Sequence, residues 1–267
     1  MPIKNSLKNL PMLKKIFVLA LQKMEYGSAL SMKLVKLTGK HIHDIHPKHL
    51  IKNRIWFDNY LKKDDMVLDL GCGIGQTSIR ISSKVKKIVG LDNDPKSIKI
   101  AKAGAVIKKT SNVRFSIADA NKKLPFHDKH FTKVIASDVL EHLTRRDQAL
   151  AEIKRVLTSK GMLFLVVDNP DTSWKKLQKS VGLFYYADSD HKYEYPKEEI
   201  LSILKSKGFK VLNTSTVTYD TPFKGLIDLS GGLSLSLYKS LRQWRESMNK
   251  KCPNETTGYK IIAQKIL

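Results

Sequence analysis

The sequence predicts an α/β fold: a sheet of seven strands with helices on both faces, preceded by a helical extension. Three observations predict it. From Met66 onward, short apolar runs alternate with stretches long enough for crossover helices, the pattern of a largely parallel sheet. The first run ends in a glycine-rich turn, Gly71-Cys72-Gly73-Ile74-Gly75. The next two end in acids, Asp92 and Asp119, at the strand tips where open α/β sheets bind their ligands.

Residues 1–62 carry twelve Lys/Arg against three Asp/Glu, with Leu13, Ile16, Phe17 and Leu21 at helical intervals. They read as basic helical segments broken near Gly27 and Gly39, followed by a helix over about 49–61. Strands are expected at 66–70, 87–91, 113–118, 131–136, 162–167, 210–217 and 259–265. Pro95 suits the first turn of a crossover helix over 95–108; further helices cover 145–157 and 197–207, the last ended by Gly208. Before the final strand, Leu233, Leu237, Leu241, Trp244 and Met248 recur every three or four residues, with Lys239, Arg242 and Arg245 off that stripe. The insertion at about 222–252 therefore holds an amphipathic basic helix, which packs on its own domain, covers the acceptor as a lid, or meets a membrane surface. The expected organisation is an extension over 1–62 and one domain over 63–267.

Composition bounds the rest. With 42% hydrophobic and 27% charged residues, the 267-residue chain has the balance of a globular protein able to bury one core. Cys72 and Cys252 are the only cysteines and sit in dissimilar contexts, so no disulfide and a reducing, cytoplasmic location are expected. The apolar run from Ile16 to Leu21 is far too short to span a bilayer and is followed by no cleavage site. The formal net charge of +23 reflects either a lysine-rich proteome or attraction to nucleic acid or an anionic membrane.

Glycines belong where backbone turns tightly and approaches a ligand without a Cβ between them. Asp92 follows Gly71 by 21 residues, where a carboxylate can accept from both hydroxyls of a ribose. The loop is Gly-x-Gly-x-Gly preceded by Asp69, whereas the dinucleotide fingerprint is Gly-x-Gly-x-x-Gly. In Val67-Leu68-Asp69-Leu70-Gly71-Cys72-Gly73-Ile74-Gly75, in Ser137-Asp138-Val139-Leu140-Glu141-His142-Leu143 and in the run from Glu152 to Val167, the chain resembles class I S-adenosylmethionine-dependent methyltransferases. It is most similar to the small-molecule, ubiquinone-biosynthesis (type 11) group. The likeness extends from about Met66 to Lys210 and over the last strand.

That resemblance implies a Rossmann-like sheet, mostly parallel with an antiparallel last strand, and S-adenosylmethionine as cofactor, leaving as S-adenosylhomocysteine. It implies that Asp69, Gly71, Cys72, Gly73 and Gly75 wrap the methionine part, that Asp92 with Asn93 holds the ribose, and that Asp119 and Ala120 address the adenine. Ser137 and Asp138 complete the set. Amine methylases of nucleic-acid bases resemble one another in an Asn/Asp-Pro-Pro-aromatic run after the fourth strand; here Ser137-Asp138-Val139-Leu140 stands instead.

A bound sulfonium methyl is already electrophilic, so the protein has to align an acceptor with it and, for a hydroxyl, supply a base. His142, past the fourth strand, and His191, in the long loop after the fifth, are the candidate bases. Phe184, Tyr185 and Tyr186 beside that loop line an acceptor pocket or pack on the sheet. His41, His43 and His46 share a basic segment without a cysteine, and no metal is expected. A small-molecule or lipid-linked acceptor is favoured, with peripheral contact to an anionic membrane; an RNA methyltransferase and a non-catalytic cofactor-binding interaction domain are the alternatives. No RNA-binding module is recognisable.

Overall fold

The structure is a computed structural model and describes residues 3–51 and 54–266, the first eight by backbone alone. The helices are Ile3–Lys23 (α1), Gly27–Leu37 (α2), Gln76–Ile81 (α3), Pro95–Ile107 (α4), Arg146–Val156 (α5), Ser173–Ser180 (α6), Lys197–Ser206 (α7), Lys224–Leu233 (α8) and Leu235–Lys251 (α9). The strands are Met66–Leu70 (β1), Lys87–Asp92 (β2), Val113–Ile117 (β3), Phe131–Ser137 (β4), Leu157–Asp168 (β5), Phe209–Thr216 (β6) and Gly258–Lys265 (β7). Two units emerge: residues 55–169, 190–215 and 258–267 form the sheet unit, and residues 1–54, 170–189 and 216–257 form a helical unit.

In the sheet unit the strand order is β3-β2-β1-β4-β5-β7-β6. Neighbours from β3 through to β5 are parallel, and β7 runs antiparallel to β5 with Ile262 opposite Phe164. Alternation along each strand divides the side chains between two cores. Leu68, Leu70, Leu163, Leu165 and Ile261 face one side with Leu150, Ile153, Ile200 and Leu204 of α5 and α7. Val67, Ile88, Phe164 and Ile262 face the other with Ile81 of α3 and Ile98 of α4. Phe57 stacks on Phe164, with centroids 4.5 Å apart and rings 8° from parallel.

Asp69 lies on the same side as Val67 and is 4% exposed, its carboxylate accepting from the Ser78 hydroxyl of α3 at 2.6 Å. Burial outweighs that hydrogen bond and raises the Asp69 pKa from 3.8 to about 6. The residue thus ties the first strand to the helix that follows the glycine turn.

Three expected elements differ. The helix expected over 49–61 is not formed by the described residues. Single 3₁₀ turns occur at Pro47–Leu50, where His46 Nδ1 accepts from Lys48 N–H, and at Asp58–Tyr60; residues 52 and 53, like 1 and 2 of the expected extension, lie outside the described residues. Trp56 and Phe57 face the Phe164 core, which ends any helical register there. The fifth strand begins at Leu157, five residues earlier than expected, because Lys160 at φ +63° and the register shift between Phe131 and Lys133 absorb the extra residues.

In the helical unit, the single amphipathic helix expected in the insertion is two, α8 and α9, with Ser234 between them accepting from Leu237 N–H. The apolar stripe is largely exposed at Leu233, Leu237 and Trp244, whereas Tyr238 and Asn249 are buried and the Arg245 guanidinium donates twice to the Tyr219 carbonyl. Asp228 of α8 accepts from the Ser28 hydroxyl at 2.6 Å and lies 3.1 Å from His46 Nε2.

Two stability outcomes are expected. Phe164→Ala removes the hub of one core and lowers unfolding free energy by about 3–5 kcal/mol in urea titration. Asp69→Asn keeps an acceptor for Ser78 without ionising. Because the folded pKa is raised, the wild-type contribution is fully present below pH 3.8 and is lost as pH rises through about 6. The variant therefore gains about 1–3 kcal/mol on wild type between pH 4 and pH 8; a constant difference contradicts the raised carboxyl.

Candidate functional site

Parallel strands leave their carboxyl ends on one edge, and the tips of β1, β2, β3 and β4 there surround a cavity of about 460 Å³. Its wall includes Gly71, Asp92, Asn93, Asp119, Ala120, Asp138 and His142 of the expected residues, with Val139, Leu143, Asp190 and Lys192 beside them. This volume lies within the roughly 300–1,000 Å³ of small-ligand sites.

The glycine turn is shaped by two demands. At Gly75, φ is +75° and a Cβ would sit 2.4 Å from Phe115 Cζ, so the turn presses on the sheet at its exit into α3. At Gly73, φ is +51° and a Cβ would meet nothing within 4 Å: the backbone turns left-handed beside open space. The Gly73 N–H donates to Asp92 Oδ2 at 2.8 Å, and the Asp94 N–H donates to Asp92 Oδ1 at 2.9 Å. Both carboxylate oxygens are fixed by backbone, and each keeps a lone pair.

Asp119 is held in the same manner. Its Oδ1 accepts from the Asn121 backbone N–H at 2.9 Å and from the Asn121 amide at 3.0 Å, which lowers its pKa, the backbone bond most. Asn121 Oδ1 in turn accepts from Thr144 and Arg145 N–H, joining the β3 tip to the start of α5. Asp138 follows β4 in the left-handed region at φ +56°, a cost that surrounding structure must hold.

Asp69, Cys72, Gly73, Gly75, Ser137 and His191 are not among the residues lining the cavity. Asp69 faces Ser78, and the Cys72 thiol is pushed up by burial while its N–H donates to the Leu91 carbonyl. His142 is exposed on the cavity wall; His191 is 8% exposed and meets it edge to face at 4.6 Å. Phe184, Tyr185 and Tyr186 belong to the helical unit, where Phe184 is exposed and the two tyrosines pack edge to face.

Sequence reasoning missed a set of acids beside His191. Glu194 Oε1 lies 2.9 Å from His191 Nδ1, and the wholly buried Glu141 accepts from the Asp168 N–H at 2.7 Å. Burial, with Asp138 and Asp168 nearby, raises the Glu141 pKa well above the usual range. The His-x-x-Glu spacing of 191–194 was the available signal.

A family model described as a methyltransferase domain matches residues 61–210. An uncharacterized RNA methyltransferase of Oceanobacillus iheyensis is 33% identical over 94 residues, which are 33% of this chain and only 20% of that protein. A demethylmenaquinone methyltransferase of Leptospira interrogans is 28% identical over 194 residues, covering 63% of this chain and 76% of the relative. A solved S-adenosylmethionine-dependent methyltransferase of Methanosarcina mazei shares the fold with a TM-score of 0.58, at 20% identity over 81% of this chain and 100% of that one. The matched residues run from just before β1 to the start of β6, so the glycine turn and every acidic strand tip around the cavity fall inside them, and the chain belongs to the class I S-adenosylmethionine-dependent methyltransferase family.

Proposed function

We propose that this chain transfers the methyl group of S-adenosylmethionine to a small-molecule or lipid-linked acceptor in the cytoplasm. The observation that carries the reading is the Asp92 carboxylate, clamped by the Gly73 and Asp94 N–H groups at the rim of a cavity of suitable size. The cavity and the open space beside Gly73 fit an elongated nucleoside. Asp92 and Asn93 would hold the ribose, Asp119 and Ala120 the adenine edge, and the turn from Gly71 to Gly75, with Ser137 and Asp138, the methionine part. Asp69 and Cys72 would support that turn from beneath.

Bound S-adenosylmethionine supplies an electrophilic methyl carbon. The chain's part is to place an acceptor in line with it, exclude water and take up a proton where the acceptor is a hydroxyl. His142, exposed on the cavity wall, is suited to receive that proton; His191 behind it fixes the ring edge to face.

A lipid-linked acceptor is favoured by the helical unit. On α1, Met12, Leu13, Ile16 and Phe17 are exposed among Lys14 and Lys15, and on α9 Leu237 and Trp244 are exposed near Lys239. Exposed apolar groups interleaved with lysines suit the interface of an anionic bilayer. No described helix is long and apolar enough to cross one. RNA as acceptor is the second reading, supported by the net charge of +23 and by the RNA methyltransferase relative.

Calorimetry tests the cofactor site. Gly73→Val projects a branched side chain into the ligand space and abolishes S-adenosylmethionine binding. Asp92→Ala weakens it by about 1.5–3 kcal/mol, roughly 10- to 150-fold. Unchanged affinity in either variant contradicts the assignment. Methyl-labelled cofactor incubated with separated lipid, aqueous and RNA extracts tests the acceptor: label enters the lipid or small-molecule fraction, and label confined to RNA overturns that choice.

A further inference from the structure

Next to the cavity wall, side chains from two distant stretches of the sheet unit converge. Asp168 ends β5, while His191 and Glu194 lie in the segment leading to α7. His191 Nδ1 is 2.9 Å from Glu194 Oε1 and 3.8 Å from Asp168 Oδ2, and one donor atom from each residue falls within 4.8 Å of the others. His191 and Glu194 are 8% and 1% exposed, so this is no solvated acidic patch.

The segment that carries His191 is also tied to a further buried acid. Glu141 is 0% exposed, and its Oε1 accepts from the Asp168 N–H, while its Oε2 has no hydrogen-bond partner. The Glu141 carbonyl also accepts from the Lys192 and Tyr193 N–H groups, which holds the His191 segment against it.

We propose that Asp168, His191 and Glu194 bind one divalent transition-metal cation. Donors each about 2.0–2.2 Å from one ion lie roughly 3–4 Å apart, the spacing that Nδ1 keeps from both carboxylates. One imidazole and two carboxylates suit Mn²⁺ or Zn²⁺ better than Mg²⁺, which favours oxygen ligands and retained waters. Three protein ligands leave coordination positions for water or other oxygen donors. The edge-to-face packing of His191 on His142 sets the ion one side chain behind the cavity wall. The site is independent of which acceptor is methylated.

The test uses the full chain without an affinity tag, stripped with chelator and titrated with MnCl₂ and with ZnCl₂. One ion binds per chain, and Glu194→Gln or Asp168→Asn weakens binding at least about tenfold with an unchanged circular dichroism spectrum. His41→Ala/His43→Ala leaves it unaltered. Pulsed electron paramagnetic resonance of the Mn²⁺-loaded, unmutated protein shows one coupled imidazole nitrogen, which decides the matter even where a variant misfolds. Absence of saturable binding, binding lost with His41 and His43, full-strength binding in both carboxylate variants, or no imidazole coupling overturns the site.

Discussion

The carboxylate of Asp92 closes a ring of backbone hydrogen bonds between the tips of the two strands that begin the parallel sheet. Gly73 N–H reaches across from the turn after β1, and Asp94 N–H folds back from the start of α4. Asp94 in turn caps that helix, its carboxylate accepting from the Lys96 and Ser97 N–H groups. Turn, strand tip and helix start are thus one hydrogen-bonded assembly. The left-handed backbone at Gly73 is what lets the N–H point at the acid.

From this clasp the remaining architecture follows in layers. Asp69 and Ser78 hold the underside of the turn against α3, and Phe115 fills the space that a Cβ at Gly75 would need. Asn121 fastens the next strand tip to α5 and holds Asp119 through its backbone N–H. The fourth tip carries the strained Asp138 and then His142, with the buried acids near His191 behind it. Polar groups fixed by backbone donors before any ligand arrives are pre-organised, which lowers the cost of binding.

Much of this was legible in the sequence, for identifiable reasons. Strand positions followed from apolar runs bounded by polar or glycine-rich breaks, and β1 starts and stops where the pattern says. Asp92 and Asp119 were legible because strand ends are local features. Asp69 was expected at the methionine part of the cofactor; strand alternation instead puts it with Val67 on the side of α3, where it faces Ser78 and not the cavity. The start of β5 was hidden because a register shift leaves no periodic trace around Lys160 and Gly161. On α9 the spacing revealed a helix without its buried side, which Tyr238, Arg245 and Asn249 define through contacts to residues far away in the chain. The acids around His191 were legible only in part, for a related reason. Glu194 was signalled only by its spacing from His191, whereas Glu141 and Asp168 meet because β4 and β5 are neighbours, a fact of topology that no local window contains.

A crystal structure of the chain with S-adenosylhomocysteine tests the account most directly. The ribose hydroxyls are expected within about 2.6–3.2 Å of the Asp92 carboxylate, the adenine beside Asp119 and Ala120, and the sulfur on the side of His142. A nucleoside bound elsewhere, or an Asp92 carboxylate turned away from the sugar, contradicts it.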